Sequence, residues 1–158
     1  MIRSASTDDH AWILTLNARH ETATGKLDAA ELARLSEAAF ATLAANVSDG
    51  FLIALDQGAN DPGPNWRWFA ERHARFVYID RIVVDAPAQG RGIGRAFHAA
   101  LAQAARKAGH DRLLCEVNLD PPNPGSFAFH QALGFVQVAT RRLEARHKTV
   151  AYMEWRIG

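Results

Sequence analysis

The sequence predicts one α/β (α+β) domain spanning residues 1–158, on three observations. Phe76–Val84 is rich in β-branched and aromatic residues and reads as a buried strand. A glycine-rich corner and an amphipathic helix follow it, and then a second strand, Arg112–Asn118, which makes a βαβ unit with parallel strands. Two further strands, Phe135–Thr140 and Thr149–Ile157, come after a short helix. At 158 residues, 48% hydrophobic and 22% charged, the chain is long enough for one well-buried core and short for two.

The elements follow in order. Ile2–Ala5 reads as a short first strand, and Ser6-Thr7-Asp8-Asp9 offers N-cap residues for a helix to about Asn17. Trp12, Ile13 and Leu16 should face inward. Asn17, Arg19, His20 and Glu21 stand at its end, as surface polar groups or in part as pocket lining. Asp28 caps a second helix with Glu31 three residues on, and Leu32, Leu35, Ala39 and Leu43 form its apolar face. Phe51–Leu55 is a strand. Residues 60–65 form a loop leading into Trp66, Trp68 and Phe69, which either pack beneath it or wall a small-molecule site. Asn123 with Pro124 at the first helical position opens the short helix, and Gly134 closes it. Residues 141–148 read as a solvated hairpin tip.

The corner carries the chemistry. From Ile93, small and apolar residues recur at helical spacing to Ala108, and Gly109 stops the helix. The first turn of that helix has N–H groups without intrahelical partners and partial positive charge, to which Arg91 and Arg95 add. Either this is only a tight turn with solvated arginines, or it binds a phosphate. Neither a G-x-G-x-x-G dinucleotide fingerprint nor a Walker A loop is present.

What stands there, Gln89-Gly90-Arg91-Gly92-Ile93-Gly94, resembles the acetyl-CoA pyrophosphate loop Q/R-x-x-G-x-G/A of the GNAT N-acetyltransferase superfamily. Asn123-x-x-Ser126-x-x-Phe129-His130-x-x-Leu133-Gly134-Phe135 is similar to a second segment of that superfamily. The resemblance covers roughly Phe76–Phe135. It implies a mostly antiparallel mixed sheet with one parallel, splayed central pair and flanking helices. It also implies acetyl-CoA as cosubstrate, with no metal. The pyrophosphate would rest on residues Gln89 to Arg95. The pantetheine arm would pair with Ile82, Val83 and Val84, and Asn118, Asn123 and Ser126 would help hold the cofactor.

The reaction implied is direct attack of a primary amine of a small molecule, amino acid or peptide on the thioester. It needs a base, an oxyanion donor and an acid for the leaving thiolate. His130 stands where the superfamily often places a tyrosine acid; it is catalytic or packs on its helix. Tyr78 occupies the superfamily's frequent glutamate position. Base candidates are therefore Asp80 and Glu116, charged residues in apolar strands. Asp80 is favoured, because adjacent Arg81 should point to the opposite face of the strand. Asp80 could instead bind the acceptor's ammonium or hold Arg112. Asn17, Trp66, Trp68, Phe69 and Tyr78 are the acceptor-pocket candidates. An acyl-CoA-binding module without turnover is the alternative, and a nucleotide-binding protein of another fold a third reading.

Other features exclude classes. A formal net charge of +1 with no long basic run gives no nucleic-acid partner. The sequence lacks an apolar run of ~18 residues and a signal-peptide pattern, which suggests a cytoplasmic protein without membrane contact. Cys115, the only cysteine, reads as a small core residue. A homodimer stays open.

Overall fold

The computed structural model describes residues 1–158. Its centre is a seven-stranded sheet in the order β1-β2-β3-β4-β5-β7-β6. The strands are β1 (Ile2–Ser4), β2 (Ala41–Ala45), β3 (Gly50–Asp56), β4 (Val77–Val84), β5 (Arg112–Asp120), β6 (Val136–Leu143) and β7 (Lys148–Arg156). Only β4 and β5 run parallel; every other neighbouring pair is antiparallel. The helices are α1 (His10–Arg19), α2 (Glu21–Thr24), α3 (Ala29–Ala38), α4 (Pro64–Ala70), α5 (Ile93–Lys107) and α6 (Pro124–Leu133).

Each face of the sheet buries its own cluster. Phe97, Leu101 and Ala105 of α5 pack on Leu52, Val77, Leu113 and Met153, with Phe127 and Leu133 of α6 alongside. On the opposite face Ile13, Leu16, Leu32 and Phe69, from α1, α3 and α4, cover Phe51, Ile53, Tyr78, Leu114 and Tyr152. The period-2 alternation of β3 and β5 divides their side chains between the two clusters.

Several starts and stops follow the expected chemistry. Ser6 and Asp9 form a capping box ahead of α1, and Asp28 accepts a hydrogen bond from the Glu31 amide at 2.8 Å. Asn123 caps α6, whose end at Gly134 has a φ of 115°.

Two elements depart from expectation. Leu43 lies in β2 rather than in the second helix, which ends at Ala38. The run Phe40–Ala45 is alanine-rich and locally suits a helix, but pairing with both β1 and β3 overrides that preference. The aromatic run that follows the 60–65 loop is a helix, α4, with Pro64 at its start.

Candidate active site

The pairing of β4 and β5 covers only Val77 with Leu113 and Tyr78 with Leu114. Beyond Tyr78 the strands diverge, leaving an unpaired edge on each. The gap opens into a cavity of about 450 Å³, lined from the strands by Tyr78, Asp80, Ile82, Glu116 and Asn118. Asn123, Ser126 and His130 of α6 line one side, and Gly63, Pro64 and Trp66 line another.

A bulge shapes the β4 wall. Ile53 pairs with Arg81 and Ala54 with Ile79, so Asp80 is the extra residue and the alternation changes phase there. Val77 and Ile79 face the α5 side before it, and Ile82 and Val84 face that side after it. The opposite-face expectation for Asp80 and Arg81 therefore fails. Arg81 Nε donates to Asp80 Oδ2 at 2.9 Å, while Arg81 Nη1 donates to Asn17 Oδ1 at 3.1 Å. Asp80 lines the cavity as half of an ion pair, and it does not hold Arg112, which pairs with Asp111 and Glu154.

Glu116 has a different setting. It lies between Cys115 and Val117, which face α5, and so projects to the other face with Leu114. The Tyr78 hydroxyl donates to Glu116 Oε2 at 2.7 Å. No guanidinium or ammonium forms an ion pair with Glu116. Burial, against the opposing pull of the Tyr78 hydroxyl, pushes its pKa up to about 7. A carboxylate held there in a cleft is poised to take a proton near neutral pH.

His130 stands on the α6 side. Its Nδ1 lies 2.7 Å from the Ser126 carbonyl oxygen, and a carbonyl can only accept, so Nδ1 carries the proton. Burial lowers its pKa. A neutral ring of this tautomer offers a lone pair at Nε2 and no proton there, which removes the expected acid in that state. His98 of α5 packs against it at a ring separation of 5.4 Å.

The glycine corner sits at the C-terminal end of β4. The Gln89 amide goes to Ala86 O, and its side chain donates to Val84 O at 3.1 Å, clipping the corner to the strand. From Gly90 to Arg95 the backbone N–H groups donate to no protein acceptor; the next, Ala96, bonds to Gly92 O. Gly90 and Gly92 adopt φ of 82° and 79°, which only glycine enters cheaply, and nothing stands within 4 Å of where their Cβ atoms would be. Free amides, open space and two exposed arginines leave the start of α5 with the chemistry an anion needs. Gly94 serves packing instead: a Cβ there would lie 3.1 Å from Phe129 Cζ, so the corner and α6 are in contact.

The remaining candidates divide. Trp66 and Tyr78 line the cleft. Phe69 is fully buried, and Trp68 stacks on Tyr152 at 4.4 Å, both in the layer behind it. Asn17 is buried, donating to Gly25 O at 2.9 Å and accepting from Arg81. It holds the α2 turn rather than the cavity wall. Val83 is buried under α1 and α3, while Ile82 is on the cavity side. Asn65 was not foreseen: it is buried, lines the cavity and accepts from the Tyr152 hydroxyl at 2.7 Å.

A parallel pair that splays beside an amide-lined corner is the architecture of an acyltransferase of the GNAT type. The profile of the Acetyltransferase (GNAT) family matches residues 30–135, and the chain belongs to that family. No curated protein matches it. Among solved structures it is similar to the ribosomal-protein-S18-alanine N-acetyltransferase from Escherichia coli, at 20% identity and a TM-score of 0.71, covering 100% of this chain and 94% of that one. It is also similar to a putative acetyltransferase from Salmonella typhimurium with its cofactor acetyl-CoA, at 20% identity and a TM-score of 0.74, with coverage of 100% and 94%. The smu.2055 protein of Streptococcus mutans UA159 gives 19% identity and a TM-score of 0.77 over 100% and 99% of the chains. At these identities the likenesses speak for the fold.

Proposed function

We propose that the protein moves an acetyl group from acetyl-CoA to a primary amine by direct attack, with Glu116 as the base. The observation that carries this is an unpaired carboxylate, its pKa raised to about 7, in the gap between the splayed strands. The free amides of residues 90–95 receive the pyrophosphate, supported by Arg91 and Arg95. The pantetheine arm pairs with the open edge of β4 near Ile82–Val84 and delivers the thioester to the cavity. Asn118, Asn123 and Ser126 form the facing wall.

An amine arriving as ammonium gives a proton to Glu116, directly or through one water. The neutral nitrogen attacks the thioester carbonyl carbon, and a strand amide of β4 donates to the oxyanion. As the C–S bond breaks, the acetyl group stays on nitrogen, which passes its remaining extra proton to water, and Glu116 returns its own to solvent before the next turnover. Coenzyme A leaves as thiolate. A thiolate is a far better leaving group than an alkoxide or amide anion, so this reading requires no side-chain acid. Asp80, with Arg81 beside it, holds the cavity wall, and Trp66 supplies an apolar one.

Thiol release from acetyl-CoA in the presence of a panel of primary amines tests this reading. Amine-dependent release is expected. Binding of coenzyme A with no release for any amine would instead support a non-catalytic acyl-CoA-binding module.

A further inference from the structure

Two cations in the cleft have no partner within the protein. Lys148 opens β7 and projects to the same face as Val150 and Tyr152, which pack with Tyr78 and Leu114. It lines the cavity together with Glu116, is partly buried, and makes neither a hydrogen bond nor an ion pair. Leaving an ammonium in that position is costly unless something pairs with it. Arg146, in the turn before β7, lines the same cavity. Its Nη2 lies 3.6 Å from where a Cβ on Gly63 would stand, so the guanidinium reaches the loop forming the far wall. It too makes no ion pair. The nearby arginines are committed: Arg81 to Asp80, Arg141 to Pro64 O and Tyr152, and Arg142 to Asp120.

The balance of charge points the same way. Around the cavity Lys26, Arg81, Arg146 and Lys148 stand against Glu31, Asp80 and Glu116. A simple alkylammonium would enter against that excess. A molecule bringing its own anion would not, and an arginine fork with an ammonium beside it suits a carboxylate. Burial lowers the Lys148 pKa, with Glu116 opposing and Arg146 reinforcing the shift, so these three charges share one part of the cleft.

We propose that Arg146 and Lys148 form a carboxylate subsite, and that the acceptor is a small molecule carrying both a primary amine and a carboxylate. This rests on the acetyl-transfer reading: the amine would sit toward Glu116 and the carboxylate toward the start of β7.

The test compares an α-amino acid with its amide, its decarboxylated amine and the matching aminophosphonate, in the thiol-release assay with the intact protein. The acid should exceed the amide in kcat/KM by roughly tenfold, the scale of one charge-assisted hydrogen bond, mainly through KM. That preference should shrink to about twofold in Lys148→Met and in Arg146→Met, and largely survive in Lys148→Arg. Equal use of acid and amide by the native protein overturns the subsite while leaving acetyl transfer intact. So does an acid preference that persists in both methionine variants. Preference for the phosphonate overturns the carboxylate assignment. No transfer to any amine removes the parent reading and this inference with it.

Discussion

The Tyr78 hydroxyl donates to Glu116 Oε2 at 2.7 Å across the one parallel strand pair of the sheet. The bond spans the last point where β4 and β5 still touch, so the carboxylate is fixed at the head of the gap. Burial raises the Glu116 pKa, and this hydrogen bond partly offsets the rise by favouring the anion.

A base must be deprotonated to work. The acid limb of kcat/KM should therefore climb through a pH of about 7, set by Glu116. Glu116→Gln should lower kcat by roughly 100-fold or more and abolish that limb. Tyr78→Phe removes a bond that favours the anion, so its limb should move to higher pH. A limb unmoved in both variants would take Glu116 out of the mechanism.

Gly94 and Phe129 join the two motifs physically. Valine at position 94 would be driven into the Phe129 ring, which a Cβ alone already approaches to 3.1 Å. Overpacking of this kind costs about 1–3 kcal/mol. Urea unfolding should show that loss for Gly94→Val, and a clearly smaller one when Phe129→Ala is made with it. Equal losses in both backgrounds would show that the contact does not govern the fit.

His98 makes the protein acid-sensitive. It is fully buried, its Nε2 has no partner, and burial lowers its pKa to about 4. The unfolded chain binds this proton first, so stability falls as pH drops from about 6.5 to 4, by up to ~3 kcal/mol. Glu116 slopes the other way between about 4.5 and 7, but equally in native protein and His98 variants. His98→Leu should therefore lose less Tm than the native protein over that interval; parallel curves would contradict the assignment.

His130 donates through Nδ1 to Ser126 O and is kept neutral by burial. His130→Phe should then keep kcat within about threefold and leave the pH profile of kcat/KM unchanged, because no proton is delivered from Nε2. A fall of about 100-fold in kcat would restore it as the acid.

Much of this arrangement was readable along the chain. The strand, glycine corner and helix from Phe76 to Ala108 declare themselves by residue type and spacing, as do Asn123 and Gly134 at the ends of α6. What could not be read depends on neighbours distant in sequence. β2 is a strand because β1 and β3 flank it. The Asp80–Arg81 pair exists because a bulge breaks the alternation, and nothing local announces a bulge. The settings of the two carboxylates differ because Tyr78 meets Glu116 from another strand, while Asp80 is matched by its own neighbour. Trp68 and Phe69 pack behind the cleft and Asn17 ties down the α2 turn, roles that residue type alone does not separate from lining the cleft.

In the proposed reaction the backbone amides of residues 90–95 grip the diphosphate of coenzyme A. The amide resonances of the labelled protein, followed by NMR during a titration with coenzyme A, report on that grip residue by residue. Saturable shifts concentrated at Gly90–Arg95, absent with pantetheine alone, are expected. Shifts that bypass this corner, or a spectrum unchanged at saturating coenzyme A, would contradict it.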